Sequence, residues 1–254
     1  MTQLLKITDL TVSFDGFHAV DGVDLSIEEG ELRFLIGPNG AGKTTLLDAV
    51  TGLSRATGSV RFRGQELLGL APHRVVRRGV GRTFQTPTVF DMLTVVENVD
   101  LAACYTQRLP GLLRRRRRTA RAATDALEAV GLASHGSQAA GTLSHGQRQW
   151  LEIAMLLAQD PRLLLLDEPV AGMTRAERER TGELLQWIVE DRTVVIVEHD
   201  MDFLRRFARR VTVLHEGSVL SEGTVDEVQA DERVRDVYLG RSGDDLEDVE
   251  GAAC

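Results

Sequence analysis

The sequence predicts an α/β protein built on a largely parallel sheet, and three stretches carry that expectation. Gly37-Pro38-Asn39-Gly40-Ala41-Gly42-Lys43-Thr44-Thr45 fits G-x-x-x-x-G-K-[ST], the spacing of a phosphate-binding loop. It stands between a short apolar run, Leu32–Ile36, and a helical pattern in which Leu46, Leu47 and Val50 recur on one face. Leu163-Leu164-Leu165-Leu166 is a second apolar run, the pattern of a strand buried on both faces, and it leaves through Asp167-Glu168-Pro169. Thr193-Val194-Val195-Ile196-Val197 is a third, leaving through Glu198-His199-Asp200. Ligands of open α/β sheets gather outside the carboxyl ends of the strands, where these polar residues fall.

Length and charge narrow the class. A chain of 254 residues can bury a large core and still carry an inserted subdomain. No apolar run reaches the roughly 18 residues of a membrane-spanning helix, and residues 1–6 do not read as a signal peptide. Cys104 and Cys254 give neither a metal-ligand spacing nor a disulfide framework, which suits a reducing cytoplasm. A net charge of −8 argues against nucleic acid as a partner.

Taken in order, residues 3–30 alternate apolar and polar and predict antiparallel strands with one wet face, turning at Asp15-Gly16. Phe14 and Phe17 are the aromatics of this region. Composition favours a core position for both over stacking on a purine. The phosphate loop supplies inward-facing backbone N–H groups and a helix N-terminus, both suited to a polyphosphate. Lys43 is expected to reach the β- and γ-phosphates and the Thr44 hydroxyl to ligate Mg²⁺. Residues 58–64 predict a strand between glycines, and 70–81 a short basic helix ending at Gly79. Gln85 follows a β-type run just ahead of Pro87. It can bind a metal-held water, although a surface amide is the plainer reading.

From about 88 to 160 the pattern is mostly helical. Leu93, Val96 and Val99 or Asp100 open an amphipathic stretch, and a later helix stops at Gly131. Residues 114–118 are five arginines in a row. A solvated face is the plainer reading, and contact with anionic lipid or an acidic partner loop the alternative. Ser144 is placed as an N-cap. Beyond it Trp150, Ile153, Ala154 and Leu157 share one helix face. This is a second helix N-terminus suited to an anion, serving another nucleotide or another subunit.

After the leucine run, Asp167 is expected to bind Mg²⁺ directly or through water, and Glu168 to accept a hydrogen bond from an attacking water. His199, at a strand end, can hold a γ-phosphate and water in line. Residues 201–210 predict a helix with arginines outward, 211–220 a closing hairpin, and 225–239 one terminal helix. Residues 241–254 are acidic with almost no apolar anchor, the composition of a disordered tail.

The ordered set of the phosphate loop, Gln85, Leu143-Ser144-His145-Gly146-Gln147, the leucine run with Asp167-Glu168-Pro169, and His199 resembles the ATP-binding subunit of ABC transporters. The resemblance covers about residues 3–240 as a single ATPase domain. It implies a P-loop NTPase with a RecA-like core, an antiparallel β-subdomain and a helical subdomain inserted near 88–160. It implies ATP and Mg²⁺ as cofactors, the metal held by Thr44, Gln85 and Asp167. Two such subunits close head to tail, and ATP lies between the phosphate loop of one chain and the Ser144, Gly146 and Gln147 helix start of the other. By this match Phe14 stacks on adenine, overriding composition. Gln85 becomes the Q-loop residue, Glu168 the catalytic carboxylate and His199 the switch histidine. Two positions depart from the family pattern. His145 replaces the first glycine of LSGGQ, and Thr174 stands where the D-loop usually has Asp.

The finer resemblance is to the ATPases of the branched-chain amino acid importer group, through the long segment after Gln85 and the ending Val234-Arg235-Asp236-Val237-Tyr238-Leu239-Gly240. Within that group LSHGQRQWLEI with DEPVAGMT resembles the D-type ATPase of urea importers. It implies a peripheral subunit on the cytoplasmic face of the inner membrane. Its partners would be two integral-membrane permeases, a second ATPase subunit or another copy of itself, and indirectly a substrate-binding protein. Branched-chain amino acid import, lipopolysaccharide-type export and a soluble non-transport ATPase are the alternatives.

Overall fold

The computed structural model describes residues 2–85, 88–105 and 112–239. In chain order the elements are β1 (Gln3–Phe14), β2 (Phe17–Glu28), β3 (Leu32–Ile36), α1 (Lys43–Thr51), β4 (Thr57–Phe62), β5 (Gln65–Glu66), α2 (Pro72–Arg77) and β6 (Val80–Arg82). Then come α3 (Val95–Tyr105), α4 (Leu112–Val130), α5 (His145–Leu157), β7 (Leu163–Asp167), α6 (Arg175–Val189) and β8 (Thr193–Val197). The chain closes with α7 (Met201–Phe207), β9 (Arg210–His215), β10 (Ser218–Gly223), α8 (Val225–Ala230) and α9 (Glu232–Leu239). The described residues fall into two compact units, one holding 2–28, 32–69 and 199–239, the other holding 29–31, 70–85, 88–105 and 112–198.

The first unit holds an antiparallel sheet in the order β2-β1-β4-β5. The alternation read from the sequence is real: Leu5, Ile7, Leu10 and Val12 of β1 are buried while intervening residues meet solvent. Asp15 and Gly16 both take positive φ, 49° and 90°, as a two-residue hairpin turn with native strand twist requires. The same unit pairs β3 parallel to β9, and β9 antiparallel to β10. Phe34 of β3 meets Phe203 of α7 with ring centroids 5.9 Å apart. Every residue of β3 is buried, including Arg33. Its guanidinium is satisfied inside the unit by Thr212 Oγ1 at 2.7 Å, Glu222 at 2.9 Å and the Ser26 carbonyl at 3.2 Å.

The second unit aligns β6, β7 and β8 in parallel, with β7 between the others. All five residues of β7 and of β8 are buried, as continuous apolar runs predict. Helices α3, α4 and α5 pack on one another, and α6 packs on β8. The expected helical content between 88 and 160 is present, and the arginine run lies within α4.

Four expectations need correction. The core reading of Phe14 and Phe17 fails: they pair beside the turn of the β1–β2 hairpin and are 52% and 67% exposed. In α3 the buried face runs through Val95, Asn98, Val99, Ala102 and Ala103, not from Leu93 through Val96. Asn98 sets that register, because its side chain exchanges hydrogen bonds with Phe90 N and O and caps the Thr94 carbonyl. Helix α7 ends at Phe207, and Arg210 belongs to β9. The terminal helix is two helices. Asp231 takes an extended conformation between them and its carboxylate accepts from Arg233 N, Nε and Nη2, a local alternative to continuing the helix. The reading of 241–254 as a disordered tail lies outside the described residues, as do Thr86 and Pro87.

Candidate nucleotide site

In the first unit β3 delivers the chain to Gly37 and α1 takes it up at Lys43. Two of the glycines are demanded by close backbone approach. A Cβ at Gly37 would collide with the Leu214 carbonyl oxygen and one at Gly42 with that of Ala19, and both residues hold positive φ. Ala41 N returns to the Pro38 carbonyl at 3.1 Å, closing the turn over Asn39 and Gly40. Nothing lies within 4 Å of where a Gly40 side chain would start, so that side of the loop faces open space. Gly42 caps α1 without any side-chain acceptor, which leaves the first-turn N–H groups for an anion. Lys43 is buried and its Nζ donates to the carbonyls of Gly37 at 2.6 Å and Pro38 at 3.0 Å, arching across the loop it serves. Thr44 is exposed and Thr45 half-buried. His199 is exposed and immediately precedes Asp200, whose carboxylate caps α7 through Phe203 N at 2.9 Å.

In the second unit β7 and β6 bring Asp167, Glu168 and Gln85 to one end of the strands. Gln85 Nε2 donates to Glu168 Oε2 at 3.1 Å. Glu168 has φ 51°, a left-handed conformation that costs a non-glycine residue energy and is concentrated at functional positions. Its N–H is tied to the Val197 carbonyl at 2.9 Å. Asp167 is buried beside Arg82, with Nη2 to Oδ2 at 3.3 Å and each side chain 4% exposed. Sequence reading missed Arg82. Its signal was an arginine alternating with buried Val80 in an otherwise apolar strand.

The start of α5 carries the other predicted set. Ser144 Oγ accepts from Gln147 N at 3.2 Å, and Gln147 Oε1 accepts from Ser144 N at 2.9 Å, a complete capping box. The Ser144 hydroxyl proton stays available to an anion, whereas the Gln147 amide is engaged in the cap. Gly146 is buried against α6: a Cβ there would stand 2.6 Å from Glu177 Oε1. His145 turns away from the helix and bonds through Nε2 to the Ala171 carbonyl at 3.1 Å, so that nitrogen carries the proton. Thr174 heads α6 in its own capping box with Glu177. Hydrogen bonds from the Thr174 backbone and hydroxyl hold the Glu177 carboxyl below the usual carboxylate range.

The loop geometry fits a polyphosphate. The side-chain oxygens of Gln85 and Asp167 in the second unit, and that of Thr44 in the first, are each of the kind that Mg²⁺ prefers. Within the second unit the structure joins Gln85 to Glu168, Ser144 to Gln147, and Asp167 to the unpredicted Arg82.

The family model described as ABC transporter matches residues 20–171, and that described as branched-chain amino acid ATP-binding cassette transporter matches 218–244. The chain is 37% identical over 251 residues to the high-affinity branched-chain amino acid transport ATP-binding protein BraF of Pseudomonas aeruginosa, covering 94% of this chain and 98% of the relative. Among solved structures it is similar to the ADP conformation of the ATP-binding cassette MJ1267, with TM-score 0.84 and 28% identity over 94% of this chain and 100% of that one. It is also similar to a dimeric post-hydrolysis state of the cassette MJ0796 bound to ADP and Pi, with TM-score 0.76 and 28% identity over 87% and 99%.

Proposed function

The chain belongs to the ABC transporter family of ATP-hydrolysing cassettes, and from that membership we propose that it energises an importer of branched-chain amino acids. The fold is the cassette fold with its antiparallel β-sheet and helical part. What supports the cargo is the match of residues 218–244 to the branched-chain amino acid module, together with relatives named for that transport.

The catalytic reading rests on one contact, Gln85 Nε2 to Glu168 Oε2. Residues 1–240 act as one ATPase domain. Asn39, Gly40, Ala41, Gly42 and Thr45 wrap the phosphates of ATP through backbone N–H groups, with Gly37 and Pro38 shaping the loop, Lys43 neutralises the γ-phosphate, and Phe14 stacks on adenine. Thr44, Asp167 and Gln85 would hold Mg²⁺, and the ion would supply neutralisation of the charge that the phosphates carry. Glu168 orients and accepts a proton from the attacking water, Gln85 fixes the carboxylate, and His199 holds the γ-phosphate as charge develops. Ser144 and the Gly146 backbone meet the nucleotide of a partner cassette, with Gln147 capping that helix start. The partner is a second ATPase or another copy of this chain, seated with integral-membrane permeases on the cytoplasmic face and served by a substrate-binding protein.

Urea is a second reading. It is favoured by His145 in the signature and by the Val170-Ala171-Gly172-Met173-Thr174 stretch, and weighed against by the names of the relatives. Uptake of labelled leucine and of labelled urea, in host cells lacking this chain and then complemented, separates the two. Restored leucine uptake alone supports the main reading, and restored urea uptake alone overturns it.

A further inference from the structure

Glu152 takes no part in the sites described above. It lies on α5, about two turns beyond Ser144, and is only 5% exposed. An ionised carboxylate in such a place is costly unless donors converge on it. Three do. Its Oε1 accepts from the Thr88 hydroxyl at 3.1 Å and, more loosely, from Thr88 N at 3.4 Å and Phe84 N at 3.5 Å. Phe84 and Thr88 bracket Gln85. Burial pushes the Glu152 carboxyl up, and the bonds from Thr88 and Phe84 pull it back. Its Oε2 is buried without a hydrogen-bond partner, as is Nε2 of Gln149 one turn earlier on the same helix. Helix α5 is in turn pinned to α6 by Trp150 Nε1, which donates to Thr181 Oγ1 at 2.9 Å. One carboxylate therefore connects the segment that presents Gln85 to Glu168 with the helix that starts at Ser144.

We propose that Glu152 is a positioning residue for ATP hydrolysis, clamping the segment that carries Gln85 onto α5. The clamp needs an acceptor oxygen facing Thr88, and a glutamine can supply one. An alanine cannot, and it would leave the loop donors without their buried partner. This rests on the role of Gln85 proposed above.

The test uses the full-length chain and four variants: Glu152→Ala, Glu152→Gln, Thr88→Val and Gln85→Ala. Amide hydrogen exchange of the peptide spanning 83–90 reads the clamp, and steady-state ATP hydrolysis reads kcat and KM separately. Glu152→Ala is expected to speed exchange and lower kcat about tenfold, with KM for ATP little changed. Thr88→Val, an exposed and nearly isosteric change, should move both readouts in the same direction, and it carries the test if Glu152→Ala fails to fold. Glu152→Gln should restore both to near the wild-type level. The proposal is overturned if Thr88→Val leaves exchange and kcat unchanged, if exchange rises while kcat holds, or if only KM moves. An unaltered kcat in Gln85→Ala would instead remove the role given to Gln85, while the exchange data still judge the clamp.

Discussion

Gln85 Nε2 donates to Glu168 Oε2 at 3.1 Å, so the amide just beyond β6 is aimed at the carboxylate just beyond β7. The bond uses one oxygen of Glu168, and the residue is held at φ 51°. The strained backbone fixes where the carboxylate stands, and the amide fixes how it turns.

Glu168→Gln keeps the size and loses the base. It should lower kcat for ATP hydrolysis at least about 100-fold, with ATP affinity changed only a few-fold. Single-turnover hydrolysis with a parallel nucleotide-binding titration separates the two. Near wild-type turnover would remove the role assigned to Glu168.

Lys43→Ala deletes the ammonium that arches over Gly37 and Pro38. A charge-assisted contact to phosphate is lost along with two bonds that hold the loop. ATP affinity should fall at least about tenfold by isothermal calorimetry.

Thr174 serves as the cap of α6, which explains how this position works without the family's Asp. Thr174→Ala should cost about 1 kcal/mol in denaturant unfolding, and Thr174→Asp, itself a good cap, close to nothing. The pH response follows from Glu177, whose carboxyl is held low by Thr174. Its stabilising contribution is present above the unfolded carboxylate pKa and is lost as pH falls through the lower folded value. Thr174→Ala removes the hydroxyl bond and keeps the backbone one, so it should weaken that acid dependence without abolishing it.

Glu152 works in the opposite sense. Burial raises its folded pKa, so its contribution to stability is fully present below the unfolded value and is lost as pH rises through the folded one. Glu152→Gln should melt higher than wild type at neutral pH, and the advantage should shrink as the pH is lowered into the carboxylate range. Thermal melts across that range measure it.

Arg33→Ala would leave Glu222 and Thr212 facing a void in the first unit. Glu222 is partly exposed and keeps its pair with Arg210, so the loss should be about 1–3 kcal/mol in chemical unfolding. Phosphate-loop chemistry should survive wherever the variant folds.

The phosphate loop was legible because glycine spacing and flanking periodicity are local. The same holds for the β1–β2 hairpin at Asp15-Gly16, for β7 and β8 as apolar runs, and for Ser144 as a cap. What escaped depends on partners distant in sequence. Arg33 sits in β3 only because Glu222 and Thr212 of other strands satisfy it, and Arg82 is buried only because Asp167 lies beside it. Glu152 went unnoticed because the residues that converge on it, Thr88 and Phe84, lie 64 and 68 positions away. The break at Asp231 escaped because a side-chain cap competes with helix continuation where periodicity alone runs on. Phe14 was misjudged by composition, since aromatic content says nothing about which end of a hairpin lies beyond the core.

If ATP hydrolysis by this cassette drives branched-chain amino acid uptake, transport must depend on Glu168. The most direct measurement is labelled leucine uptake in host cells lacking the chain, complemented with wild type or with Glu168→Gln at equal expression. Wild type should restore leucine uptake and Glu168→Gln should not, with urea uptake unaffected. Leucine uptake restored equally by both, or by neither while urea uptake returns, would overturn the assignment.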